Sequence, residues 1–407
     1  MMVTRQDFLI FIILSTFLLN TLKVPFALIL GLNHAFLSLL LLVIILTSGI
    51  IVLFFNGLYK KCNFIGLIFI FYHASMFSRQ VLVNIIDGAH FSDYISAVFS
   101  FIRVLSIFLL YIIFLNPLPL KVKKYVWLVP AYLIFTTTIA FLQTPISPIS
   151  SFLASGLSDV TSANHLGFFR STGGVGGTVV DYSVYLTITC FFIYGISVGN
   201  LRMVPSLVAI LLGLFFCFSR ASFLTSGLLL VGWIFRPSST HRSLKVIVLF
   251  LSFVLALIFH DVLIQKIRHV VFLLEISAGS SDIDRILGWN SLLSQLNFFS
   301  AVFGNEVGGN TGFYVDDATK VSGDGAIFSH LFDYGIIGVI LLILVYMSFI
   351  RRMVCNRYDF WFLSVALISI MFVNSGIEKI FNYTYFFVAL SFLPAARTST
   401  VLFIRKI

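Results

Sequence analysis

Residues 275–338 read EISAGSSDIDRILGWNSLLSQLNFFSAVFGNEVGGNTGFYVDDATKVSGDGAIFSHLFDYGIIG, a polar stretch that interrupts an apolar chain and then runs back into it. It gathers Asp282, Asp284, Glu306, Asp316, Asp317, Asp324 and Asp333, with Arg285 near its start. It closes on Gly335-Ile336-Ile337-Gly338, where the next apolar segment is under way. A second polar loop, 144–178, stands as its counterpart.

What surrounds these loops sets the class. The 407 residues are 59% hydrophobic and 10% charged, with 47 phenylalanines. Apolar runs of membrane-spanning length recur from end to end, far more than a soluble core uses. They lie near 8–22, 35–55, 63–80, 94–115, 125–143, 179–198, 203–217, 221–235, 245–260, 327–349, 358–375 and 380–396. The expected fold is therefore an all-α polytopic membrane protein of about twelve transmembrane helices, a single integral domain over 1–407 with large outer loops at 144–178 and 261–326. Arg5 precedes the first apolar run, but no small-residue cleavage site follows it, so that run reads as a retained helix rather than a signal peptide.

Lys and Arg fix the expected orientation, because cytoplasmic loops carry their excess. They fall at Lys60 and Lys61; Lys121, Lys123 and Lys124; Arg202; Arg236, Arg242 and Lys245; Arg351, Arg352 and Arg357; and Arg397, Arg405 and Lys406. With twelve spans all these loops share one side. Both termini are then cytoplasmic, and the two long loops face outward. The formal charge of +10 thus reads as topology. No basic stripe with interleaved aromatics suggests nucleic acid. The four cysteines, Cys62, Cys190, Cys217 and Cys355, avoid both long loops and suggest neither a disulfide framework nor a thiolate metal site.

Charged residues inside apolar runs are expensive. Arg103 sits in the middle of the fourth run, where a charge costs ~2.5 to 3.5 kcal/mol on insertion scales, so it is expected to face inward toward an acid such as Asp333 or Asp181. Asp181, Tyr182 and Tyr185 either line a cavity or sit at the membrane interface, where Tyr is common.

The first outer loop carries Arg170 followed by Gly173, Gly174, Gly176 and Gly177. Such a glycine run lets exposed backbone N–H groups cradle an anion, and the guanidinium is a planar fork matched to phosphate oxygens. The alternative is a plain flexible loop, since no Gly-Lys-Ser/Thr follows. The short turn Phe218–Phe223 holds Arg220, either a headgroup contact or a second rigid cation over the same cavity.

In the second loop, Ser281-Asp282-Ile283-Asp284 has the spacing of a capping box, with Asp in place of the usual Glu, and Arg285 falls in the first turn of the helix it opens, either a functional cation or a solvated charge. Ile286, Leu287, Trp289, Leu292, Leu293, Leu296 and Phe299 then recur at helical spacing, which predicts an amphipathic surface helix anchored by Trp289. The acids lack the alternation of a calcium loop. His330 and Asp333, three apart at the mouth of the tenth run, share a face and are placed to satisfy one another. Asp324, just ahead of them, is placed to cap that helix or to act as a base.

The order of these pieces resembles the bacterial O-antigen polymerases, relatives of the O-antigen ligases. The resemblance covers the whole length: twelve spans, two large outer loops, FFRSTGGVGG in the first, a short Ser-Arg-Ala-Ser turn, and Arg…Gly-Trp…Phe-Gly…Asp…Tyr-Gly-Ile-Ile-Gly in the second. It implies a membrane-embedded glycosyltransferase of the GT-C type in the bacterial inner membrane. Such an enzyme moves a growing glycan from undecaprenyl pyrophosphate onto the next lipid-linked repeat unit, in lipopolysaccharide biosynthesis. Where the ligases place a histidine, counted back from Gly335, this chain has Asp324, which speaks for a polymerase.

On that resemblance Arg170 and Arg285 attend the departing diphosphate with Asp324 as base. Arg220, Gly173, Gly174, His330 and Asp181 then bind substrate. Breaking a sugar–pyrophosphate bond needs cations, a base and a lipid-accessible cavity; no cofactor or metal is expected, because the lipid-linked donor is already activated. The implied partners are an undecaprenyl-pyrophosphate-linked oligosaccharide and a chain-length regulator. The competing class is a flippase or transporter of the same glycolipids, which favours charge spread through many helices and small outer loops.

Overall fold

The computed structural model describes residues 5–30, 34–55, 64–115, 118–144, 179–196, 204–217, 296–305, 307–308, 326–354, 356–373 and 379–393, with shorter helical stretches within 225–232 and single helical positions at 246, 250, 254, 290, 293 and 294. Every regular element among the described residues is helical. In chain order they are α1 (Arg5–Leu30), α2 (His34–Phe55), α3 (Phe64–Ile86), α4 (Phe91–Phe114), α5 (Leu120–Lys123), a 3₁₀ turn (Lys124–Trp127), α6 (Leu128–Leu142), α7 (Val179–Ile196), α8 (Val204–Cys217), α9 (Phe298–Phe303), α10 (Ala326–Met353), α11 (Arg357–Val373) and α12 (Ile380–Ser391).

Five helical stretches among the described residues are long and apolar enough to cross a membrane: Phe36–Leu53, Phe64–Ile86, Phe91–Phe114, Lys121–Leu142 and Ala326–Met353. Gln6–Leu22, Tyr182–Ile193, Pro205–Leu214 and Ile380–Ser391 are shorter apolar helices. Helices thus stand where ten of the twelve apolar runs lie. The runs at 221–235 and 245–260 fall mostly outside the described residues. Lys121, Lys123 and Lys124, read above as a loop, are instead wound into α5 and the 3₁₀ turn, which begin directly after Pro119.

Burial orders the bundle. Every described side chain of α7 and every side chain of α12 from 381 to 391 is buried, as is the half of α4 from Ser106 to Phe114. A helix buried on all sides belongs at the centre of a bundle. α12 packs against α7, α4, α1 and α2, and α4 against α2 and α3. Close crossings use glycine: a side chain at Gly49 would meet Leu109 of α4, and one at Gly213 would meet Leu186 and the Tyr182 hydroxyl of α7. Hydroxyls within the helices turn back on their own carbonyls, as Thr16 donates to Ile12 (2.7 Å) and Thr189 to Tyr185 (2.9 Å).

α3 and α4 form a hairpin over a turn that local chemistry dictates. Gly88 takes φ 65°, and Ala89 N–H bonds Asn84 C=O at 2.9 Å, the glycine-ended finish of a helix. Asp93 then accepts from His90 N–H at 3.1 Å and starts α4. Beside this hairpin lies α10, whose course is broken at Gly335 (φ 68°, ψ −177°), a backbone region open essentially to glycine alone.

The amphipathic helix expected over 286–299 is corrected in its C-terminal part. Leu296 and Asn297 are not helical; the Asn297 side chain accepts from Ser300 N–H at 2.8 Å and caps a new helix, α9, to which Phe299 belongs. Asn is a poor interior residue and a strong cap, so the apolar periodicity carries across a break in the backbone. Trp289 lies outside the described residues.

Candidate functional site

The break at Gly335 builds the site. At a helix kink, carbonyls lose their partners along the helix and need others, above all where no water reaches. Phe332 C=O accepts from Asn305 N–H (2.8 Å), and Tyr334 C=O from the Tyr72 hydroxyl (2.7 Å). The segment after α9 therefore docks backbone to backbone on the kink. A side chain at Gly335 would run into Val302 C=O, and one at Gly304 into Asp333 C=O. Farther along, Val307 N–H bonds the Gln80 side chain (3.2 Å), and Gly308 lies directly on Ser96 of α4.

Under this joint a polar seam runs between α3, α4 and α10. His330, Asp333 and Tyr334 project from one face of α10, and all three are buried. Ser100 of α4 donates to Asp333 Oδ2 at 2.9 Å, since a carboxylate only accepts. Its single proton is thereby used, so the Tyr334 hydroxyl donates to Ser100 Oγ at 3.0 Å, and Arg103 reaches the same oxygen at 3.4 Å. Arg103 also stands 3.7 Å from Asp333 Oδ2. The expected ion pair of Arg103 thus forms, with Asp333.

On the other side of Tyr334 two imidazoles meet. His73 Nδ1 lies 2.7 Å from Phe69 C=O, an acceptor, which puts the proton on that nitrogen. Its Nε2 is then the acceptor for His330 Nε2–H at 2.9 Å. The Tyr334 ring lies 4.5 Å from the His73 ring and 4.7 Å from that of His330, joining the imidazole pair to the Ser100–Asp333–Arg103 group. The mutual pairing of His330 and Asp333 expected above is replaced by partners on other helices, His73 for one and Ser100 with Arg103 for the other. Neighbours across a helix seam outcompete the i, i+3 partner because they also fill the interhelical space.

The other expected residues fall as follows. Arg170, Gly173, Gly174, Arg220, Arg285 and Asp324 lie outside the described residues; Asp181 is in the first turn of α7, and its side chain likewise lies outside them. Tyr182 and Tyr185 are both buried, the Tyr185 ring 5.0 Å from Tyr132 and 4.6 Å from Tyr385. His73, Ser100 and Tyr334 were not singled out from sequence, although a signal existed for the first. The buried polar positions of α3, His73, Gln80 and Asn84, recur on one face of an otherwise apolar helix, an inward polar stripe.

Chemically, the seam is a fixed set of donors and acceptors inside an apolar bundle: two imidazoles in hydrogen-bond contact, a carboxylate held by a hydroxyl and a guanidinium, and a phenol between them. It can bind and orient polar groups, and it can pass a proton between imidazoles. Among the described residues no three His, Cys, Asp or Glu side chains come together as metal ligands would. No protein-family model and no curated protein matches the chain.

Proposed function

We propose that this chain is an O-antigen polymerase, a GT-C-like glycosyltransferase of the bacterial inner membrane with twelve spans and both termini in the cytoplasm. It transfers the growing glycan from undecaprenyl pyrophosphate to the next lipid-linked repeat unit at the periplasmic face. The observation that carries the reading is the construction of α10. In sequence this helix follows the acidic stretch, with Asp324 two positions before its first residue, Ala326, and it holds His330, Asp333 and Tyr334 in a polar seam. A base that close in sequence to a preorganised polar seam suits proton removal from an acceptor hydroxyl, which requires a fixed geometry.

On this reading Asp324 is the base, and Arg170, Arg220 and Arg285 approach the diphosphate from separate segments of the outer loops. No cofactor takes part, and a chain-length regulator is the expected protein partner. A strain lacking the gene tests this: it should display surface core capped with a single repeat, and complementation by Asp324→Asn should leave that phenotype unchanged. Surface glycan lost altogether on deletion would refute polymerisation.

A second reading has one observation in its favour. The Arg103–Asp333 pair and the His73–His330 contact are intramembrane ionisable groups of the kind that serve proton-coupled transport. A flippase of lipid-linked glycans would give the total loss just described.

A further inference from the structure

Arg79 differs from Arg103 in what surrounds it. It sits in α3, about 10 Å of helix before the end at Ile86, and is half-buried. Its Nη2 reaches Gly304 C=O at 3.4 Å and Asn305 C=O at 3.5 Å, contacts at the long limit of a hydrogen bond. Among the described residues the ion pair is that of Arg103 with Asp333, and no carboxylate of a described residue stands within 4.0 Å of Arg79. Carbonyl dipoles orient a guanidinium but do not neutralise it, and a half-buried cation in an apolar helix favours an anionic partner. Nε and Nη1 bond no described residue, and they offer three N–H donors in the flat fork that fits phosphate oxygens.

The ground around it is apolar on one side and polar on the other. The Phe299 ring lies 6.0 Å from the guanidinium carbon, and Phe298 and Phe299 are 87% and 61% exposed. Leu82, Ile85 and Ile86, toward the end of the same helix, are also exposed. Behind it stand Gly304, Asn305, Val307 and Gly308 and the kink of α10. A ligand matching this setting carries phosphate at one end and a long hydrocarbon at the other.

We propose that Arg79 is a phosphate-binding residue for a polyprenyl diphosphate, gripping the diphosphate beside α9 while the isoprenoid lies along the exposed phenylalanines. The proposal rests on the glycosyltransferase reading and adds to it a cation supplied by a membrane helix rather than by an outer loop. Carbonyls of Gly304 and Asn305 aim the fork, so the site is coupled to the kink at Gly335. A phospholipid headgroup offers similar phosphate chemistry and is the competing source.

Full-length protein in phosphatidylcholine nanodiscs would be titrated with undecaprenyl diphosphate and with undecaprenol, and challenged with phosphatidylglycerol. The wild type should prefer the diphosphate over the alcohol. Arg79→Gln should weaken diphosphate binding about tenfold or more, and Arg79→Lys several-fold, because an ammonium lacks the paired donors. Arg351→Gln, at the exposed opposite end of α10, should bind like wild type. If Arg79→Gln does not accumulate, Arg79→Lys decides.

Wild-type affinity in both Arg79 variants overturns the proposal while leaving the glycosyltransferase reading intact. So does a loss confined to phosphatidylglycerol competition, which would make Arg79 an ordinary headgroup contact. Tighter diphosphate binding by Glu306→Gln would show that this carboxylate occupies the guanidinium, and it too overturns the proposal. A wild type that does not separate diphosphate from alcohol removes the glycosyltransferase reading itself.

Discussion

Two polar regions lie inside this bundle, and they are built by opposite rules. Between α3, α4 and α10 the groups are ionisable and tied to one another: Arg103 to Asp333 and Ser100, His330 to His73. Among α6, α7 and α12 the groups are phenols. The Tyr132, Tyr182 and Tyr185 hydroxyls are buried and make no well-formed hydrogen bond among the described residues, while that of Tyr385 lies 3.1 Å from Thr189 Oγ1. Their rings hold that region together, with the Phe17–Tyr132 and Tyr132–Tyr185 pairs both meeting edge to face. A buried charge without a partner costs several kcal/mol and a neutral hydroxyl roughly 1 to 3, offset here by the area each ring buries. The first region is where the chain specifies geometry, and the second is where it fills volume.

The sharpest way to break this contrast is to remove one member of the ion pair. Asp333→Ala takes the carboxylate from Arg103 and should destabilise the protein by about 3 to 5 kcal/mol. Thermal unfolding in detergent would record it. Joint replacement of Arg103 and Asp333 by leucine should recover most of that loss, since it removes the desolvation cost along with the attraction. If the double variant is as unstable as the single one, the pair is not the unit described.

Next in size comes the joint between α9 and α10. Gly335→Ala forces a side chain into a backbone region it does not adopt and against Val302 C=O, and should cost about 1 to 3 kcal/mol from the backbone alone. Limited proteolysis should then cut within 298–308 far faster than in the wild type. Unchanged cleavage would mean that the kink does not hold that segment. The smallest effect belongs to the phenols: Tyr132→Phe and Tyr185→Phe remove hydroxyls that make no well-formed hydrogen bond among the described residues, so unfolding should shift by less than about 1 kcal/mol or move toward stability. A loss of 3 kcal/mol in either would put these tyrosines in the same class as Asp333.

The same contrast explains how much was legible in the sequence. Helices follow from hydropathy alone, and Arg103 announces itself because a guanidinium in an apolar run must find an acid. Asp333 is one of the two acids named for it from sequence. Partnering among neutral groups is not legible that way. Nothing local tells His330 to choose His73 over Asp333, or Ser100 to stand between Asp333 and Tyr334, because those choices depend on how α3, α4 and α10 cross. The end of the amphipathic run illustrates a different failure. Apolar spacing continued through Phe299, yet Asn297 stops one helix and caps another, and a cap is decided by one side chain against a periodic background.

The measurement that tests the functional account most directly is incubation of the purified full-length protein, in liposomes, with a synthetic undecaprenyl-pyrophosphate-linked repeat unit. The account predicts a ladder of lipid-linked glycans, each longer than the last by one repeat, with undecaprenyl pyrophosphate released in step and Asp324→Asn inactive. Repeat units that stay single while crossing the bilayer would contradict it and make the seam between α3, α4 and α10 part of a transporter.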